Sequence, residues 1–154
     1  YSDKVHDVKD IPDGATIAIP NDPTNGGRGL LLLQRAGLLK LKDGVGMKAT
    51  PKDVVDNPKH LKFKELEAAQ LPRSLADVDA AAITMNYVMS GGLDVKKQNI
   101  FLEPKDEPLA VMIIAARNKD KDKEAYKAFV KAYQSEAVKK FIADKYKGTI
   151  EPAF

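Results

Sequence analysis

The sequence has no cysteine, which excludes disulfides and thiolate chemistry and leaves the compartment open. It has no tryptophan, and five Phe and five Tyr are too few and too scattered to form a base-stacking surface. His6 and His60 are the only histidines and lie far apart among polar residues, too sparse for a metal centre. No run approaches the ~20 apolar residues that cross a bilayer. No secretory leader pattern is visible, so the expectation is a mature or trimmed product. Charge is balanced as well: 25 basic residues against 22 acidic ones give a net charge of +3, too little to argue for nucleic acid. No catalytic set emerges. Ser74 and Ser90 have no histidine partner and sit in no Gly-x-Ser-x-Gly elbow, while Asp77 and Asp79 read as capping or solvated residues. An enzyme and a bound cofactor are therefore not expected.

What is present is a chain of 154 residues, long enough for a domain with a real core. It is organised around the stretch from Ile17 to Leu33. Ala15 to Ile19 is short, apolar and partly β-branched, which predicts a buried strand. Pro20 is expected to end its ladder, and Asn21-Asp22-Pro23 is turn chemistry. Thr24 or Asn25 is the expected cap of a helix running from Gly26 to Ala36, closed by Gly37. Gly26, Gly27 and Gly29 leave the first turn without bulk, so either a ligand or another backbone can approach. Two readings compete here. The glycines serve close helix–sheet packing and Arg28 is merely solvated, or the helix tip and the Arg28 fork seat a small carboxylate. The pattern fits neither a P-loop nor a dinucleotide fingerprint.

Further along, Asp43-Gly44 reads as a turn. Thr50-Pro51-Lys52-Asp53 reads as a capped helix start, with the helix ended by Asn57-Pro58. Leu61 to Leu66 alternates, predicting a strand with one wet face. Pro72 interrupts the next helical segment, which resumes at Ser74. Strands are expected at Asp79 to Thr84, at Ile100 to Leu102, and, buried on both faces, at Leu109 to Ala116. Met85 to Ser90 is a short helix, and Glu124 to Tyr133 and Ser135 to Tyr146 are amphipathic helices. The alternation predicts an α/β fold with a mostly parallel sheet. Ligands then bind beyond the carboxyl ends of the strands, where the loops Asn21–Arg28 and Thr84–Tyr87 fall.

Several long stretches carry a family resemblance. They are Ile19-Pro20-Asn21-Asp22-Pro23-Thr24-Asn25, Gly27-Arg28, Leu30-Leu31-Leu32-Leu33-Gln34, Leu39-Lys40-Leu41-Lys42-Asp43-Gly44, Glu65-Leu66-Glu67-Ala68-Ala69-Gln70-Leu71-Pro72-Arg73-Ser74 and Ala132-Tyr133-Gln134-Ser135. On these, the chain resembles the methionine-binding lipoprotein family, the substrate-binding components of bacterial ABC-type methionine importers. The resemblance implies a type II periplasmic-binding-protein-like fold whose two lobes close on a free amino acid. It implies Arg28 on the carboxylate, assisted by Asn25 and Asn21. It also implies an extracytoplasmic location, a lipid anchor on the full-length parent, and the importer's membrane subunits as partners.

The chain departs from the family pattern at two pocket positions. Thr84 and Met112 stand where the family carries asparagines, with Asn86 two places beyond the first. Losing a buried amide removes hydrogen-bond positions, which brings a related amino acid, a small peptide or another small carboxylate into range as the ligand. The motif order implies that residues 1–105 are the second ligand-binding lobe. Residues 106–154 would be a crossover strand and C-terminal helices returning to a first lobe that the motifs do not include. That organisation exposes apolar surface, and homodimerisation or domain swapping follows as an expectation. The rival expectation is a truncated interaction module that binds no solute.

Overall fold

Along the chain run β1 (Thr16–Pro20), α1 (Pro23–Arg35), β2 (Lys40–Leu41), β3 (Val54–Asp56), β4 (Lys62–Leu66), α2 (Leu71–Ser74), β5 (Ala80–Ala81), α3 (Met85–Ser90), α4 (Val95–Gln98), α5 (Glu124–Tyr133) and α6 (Glu136–Tyr146). This is a computed structural model; it describes residues 1–104 and 107–154, divided into two units, Tyr1–Glu103 and Pro104–Phe154. The boundary expected at residues 105 and 106 lies outside the described residues.

In the first unit β1 is the central strand of a parallel sheet ordered β4-β1-β5. Its position follows from its side chains. Ile17, Ala18 and Ile19 are fully buried, so both faces must be covered. Ile17 and Ile19 join Leu30 and Leu33 of α1 in one core, while Ala18 joins Leu71, Leu75, Val78 and Val88 on the other side. Strand alternation thus divides one short sequence between two cores. β4 is an edge strand in which only Phe63 and Leu66 are partly buried, one against each core, so the single wet face expected from its alternation is not formed. An antiparallel pair, β2 with β3, forms a second small sheet.

Several local expectations are corrected. Pro20 belongs to β1, opposite Leu66. Asn21 N–H donates to the Leu66 carbonyl at 2.8 Å, so the missing Pro20 N–H falls on the β5 side. There β5 pairs only with Ile17 and Ala18 and makes no demand on it. Asp22, rather than Thr24 or Asn25, caps α1, with Pro23 in the first helical turn. Thr50 and Asp53 do form a reciprocal capping box, but only on a 3-10 turn, Pro51–Asp53, and β3 follows where a longer helix was expected. Pro72 does not interrupt a helix. It lies in the first turn of α2, where a missing N–H costs nothing. The strand expected from Asp79 to Thr84 is reduced to Ala80–Ala81, and Ile100 to Leu102 forms no strand. Ahead of β1, Tyr1, Ser2 and Ile11 are buried. Tyr1 and Ala81 exchange two backbone hydrogen bonds of 2.9 Å.

The second unit carries the largest correction. Leu109 to Ala116 is not a buried strand. A 3-10 turn, Pro108–Ala110, is followed by irregular chain. Met112 is 92% exposed and Ile113 81%. An apolar run forms a strand only beside a strand that accepts its ladder, and among the described residues none pairs with it. α5 and α6 have the expected bounds, with Ser135 accepting from Val138 N–H to cap α6. Neither contains a buried residue, and Phe129, Tyr133 and Phe141 are all more than half exposed.

Two carboxylates tie the first unit together and make its stability acid-sensitive. Asp79 accepts from Thr16 N–H at 2.8 Å and meets Lys4 at 3.2 Å, joining the starts of β1 and β5. The Thr16 hydrogen bond, ahead of Lys4, holds its carboxyl below the usual range against a smaller opposing effect of burial. Asn25 N–H does the same for Asp22. A depressed folded pKa contributes stability that is complete above the unfolded carboxylate value of about 4 and lost as pH falls through the folded value. Denaturant midpoints should therefore be level above about pH 5 and decline below about pH 4. Asp79→Asn, which keeps an acceptor but cannot titrate, should flatten that decline.

Candidate functional site

The carboxyl end of β1 leads into the Asn21–Arg28 turn, and the end of β5 leads through Thr84 into α3. The two strands are adjacent and parallel, so both loops emerge at one end of the sheet. Contacts at the glycines fix how closely α1 sits there. A Cβ on Gly29 would lie 3.2 Å from that of Ala82, just past β5. One on Gly26 would lie 2.7 Å from the Pro20 carbonyl oxygen, and one on Gly27 would overlap the Met47 carbonyl. Of the two approaches these glycines permit, the structure uses backbone packing. The bulk-free stretch from Gly26 to Gly29 seats α1 against the sheet and against the 3-10 turn Gly46–Lys48.

The helix tip is satisfied internally. Asp22 Oδ1 accepts from Asn25 N–H at 2.9 Å, and Asn25 Nδ2 donates to both Asp22 oxygens at 3.1 Å. Asn25 is therefore half-buried and bound to the cap, whereas Asn21 is exposed. Thr84 begins α3, half-buried, and makes no side-chain cap; its carbonyl accepts from Tyr87 and Val88 N–H. Asn86 is exposed. Met112 belongs to the second unit.

Arg28 is not solvated. Its guanidinium pairs side-on with Glu103: Nε donates to Oε1 at 2.8 Å, and Nη2 donates to Oε2. About a quarter of the Arg28 side chain is exposed and 21% of that of Glu103. The fork is thus engaged by a carboxylate of the protein itself. Reading the residues missed both acids that organise the site. Asp22 was findable, since a short acidic residue directly before a Pro at the helix start is a cap signature. Glu103 lies 75 residues from Arg28, and no local pattern links them.

A hollow of about 570 Å³ lies in the second unit along α5, lined by Ile114, Ala116, Tyr126, Phe129 and Val130 among others. None of the candidate ligand-binding residues lines it. Among the described residues no group of acids and histidines could hold a metal ion, and no helix is long and apolar enough to cross a membrane.

Comparison with known proteins gives this geometry a context. The family profile described as NlpA lipoprotein matches residues 1–154. The chain is 53% identical over 140 residues to the D-methionine-binding lipoprotein MetQ of Escherichia coli O157:H7, covering 90% of this chain and 51% of that protein. It is 46% identical over 156 residues to Lipoprotein 28 of Escherichia coli K12, covering 100% and 57%. Its fold is similar to that of a nutrient-binding protein from Burkholderia cenocepacia solved bound to methionine. The TM-score is 0.88 at 46% identity, over 100% of this chain and 65% of that one. The chain thus spans about half the length of the curated relatives it matches.

Proposed function

Because the chain belongs to the NlpA lipoprotein family, we propose that it forms the arginine-bearing part of a substrate-binding protein that delivers methionine, or a related small amino-acid-like ligand, to an ABC importer. The protein carries out no chemistry. Arg28 takes the ligand's carboxylate, Asn25 and Asn21 lie beside it, and Thr84 and Asn86 border the same end of the sheet. Residues 1–105 act as the second lobe. Residues 106–154 belong with the first. The full-length parent works outside the cytoplasm on a lipid anchor, beside the importer's membrane subunits. The observation that carries the reading is kinship, the match to the NlpA lipoprotein family along residues 1–154; Arg28 is paired with the internal Glu103, so a ligand's carboxylate would have to share or displace that partner. Names of relatives that bind methionine support the choice of ligand.

Calorimetric titration with L-methionine, D-methionine, short methionine peptides and unrelated amino acids tests this. Saturable heat from a methionine-like ligand is expected, and an inert panel would end the reading. Binding of a peptide in preference to free methionine would fit the loss of amides at Thr84 and Met112. The exposed aromatic side chains of α5 and α6 have a second consequence. The chain should self-associate, as a homodimer or a domain swap, and sedimentation velocity should show a concentration-dependent species above monomer mass that Phe129→Asp disperses.

A further inference from the structure

Asn25 is the only asparagine of the chain followed by glycine. Such a pair carries its own chemistry, because no β-carbon shields the glycine nitrogen. That nitrogen, once deprotonated, attacks the asparagine carboxamide. A bond forms between Gly26 N and Asn25 Cγ, the Cγ–Nδ2 bond breaks, and the amide nitrogen leaves as ammonia. Water then opens the succinimide ring to aspartate or, more often, isoaspartate. The fold opposes both halves of the attack. Gly26 is buried, and its N–H donates to the Asp22 carbonyl at 2.8 Å. The Asn25 carboxamide is turned back toward the preceding residues, with Nδ2 donating to both Asp22 carboxylate oxygens at 3.1 Å. Asn25 N–H donates to Asp22 Oδ1 at 2.9 Å. Nucleophile and carboxamide are thus restrained by one residue, Asp22.

We propose that Asn25 is a site of spontaneous deamidation gated by the Asp22 cap on α1, modified only when the start of the helix opens. Conversion proceeds from the open population, so its rate follows the free energy of that local opening. The product does not reseat. Isoaspartate adds a methylene to the main chain directly before Gly26, where even a β-carbon would lie 2.7 Å from the Pro20 carbonyl oxygen. A transient opening of the cap is thereby made permanent, in the stretch of α1 that carries Arg28. This holds whatever the stretch binds.

The test incubates the intact chain in mildly alkaline buffer, folded or in urea, and maps it by mass spectrometry after digestion with pepsin. Loss of the amide at Asn25 should be slower in the folded chain than in urea by roughly a hundredfold or more. Asp22→Ala should speed conversion in the folded chain roughly tenfold. Asp22→Ser still caps the helix but lacks the second oxygen that holds Nδ2, and should fall between. Amide NMR spectra show whether each variant is folded. Refolded chains carrying isoaspartate should lose hydrogen-exchange protection from Gly26 to Gly29. Equal rates in the folded chain and in urea would overturn the gate, as would a folded Asp22→Ala that converts no faster than wild type. Should Asp22→Ala fail to fold, Asp22→Ser decides in the same way. Full protection in the isoaspartate chains would overturn the claim that the product does not reseat.

Discussion

Replacing Arg28 with alanine should weaken binding of the amino-acid ligand about 100-fold while leaving the first unit folded. The magnitude follows from two charge-assisted hydrogen bonds to the ligand's carboxylate, at about 1.5 kcal/mol each, with every 1.4 kcal/mol worth a factor of ten. The Glu103 pair is lost with the side chain. Both partners are largely buried, so leaving Glu103 without this partner should cost about 1–3 kcal/mol of stability. Arg28→Lys should recover little, because an ammonium offers a point charge and no fork. Calorimetry on the variant, with circular dichroism to show that the fold persists, separates loss of the site from loss of structure. Equal affinity in wild type and Arg28→Ala would remove the site assignment.

The second large effect is on stability and concerns Gly27. A β-carbon there would overlap the Met47 carbonyl oxygen and lie 2.7 Å from its carbon, with Ala49 N at 3.3 Å. The obstacle is backbone of the turn that α1 packs on, so no side chain can rotate away. Gly27→Ala should cost about 3 kcal/mol, the upper part of the range for overpacking. For a unit of this size, that lowers the thermal midpoint by roughly 10–20 °C. Gly29→Ala should cost clearly less, because its β-carbon meets the Ala82 methyl at 3.2 Å. Scanning calorimetry of the two variants gives the order, and equal midpoints would mean that α1 does not sit where these contacts place it.

These cases show what a sequence carries and what it does not. β1, the existence of β4, and α5 and α6 were legible because each is a local pattern: an apolar run, a short apolar-charged run, a capped amphipathic period. The glycines of α1 were legible as a place of close approach. Whether a ligand or Met47 approached depended on a turn 20 residues away. Leu109 to Ala116 misled for the same reason. Its hydrophobicity states that the segment wants burial and not what buries it, and the described residues supply no neighbouring strand. At the site, Arg28 could be singled out from its place after a strand and a bare helix turn. Glu103, which holds it, stands in an unremarkable Leu-Glu-Pro sequence and gains its role only when the chain returns to α1.

The central claim is that a ligand carboxylate is read at the carboxyl end of β1. Its most direct test is to titrate the isotope-labelled chain with L-methionine and follow the backbone amides by NMR. The account predicts saturable shifts concentrated in Asn25 to Gly29 and Thr84 to Asn86, together with the Arg28 side chain. Saturable shifts confined to the second unit, or none in Asn25 to Gly29, would contradict it.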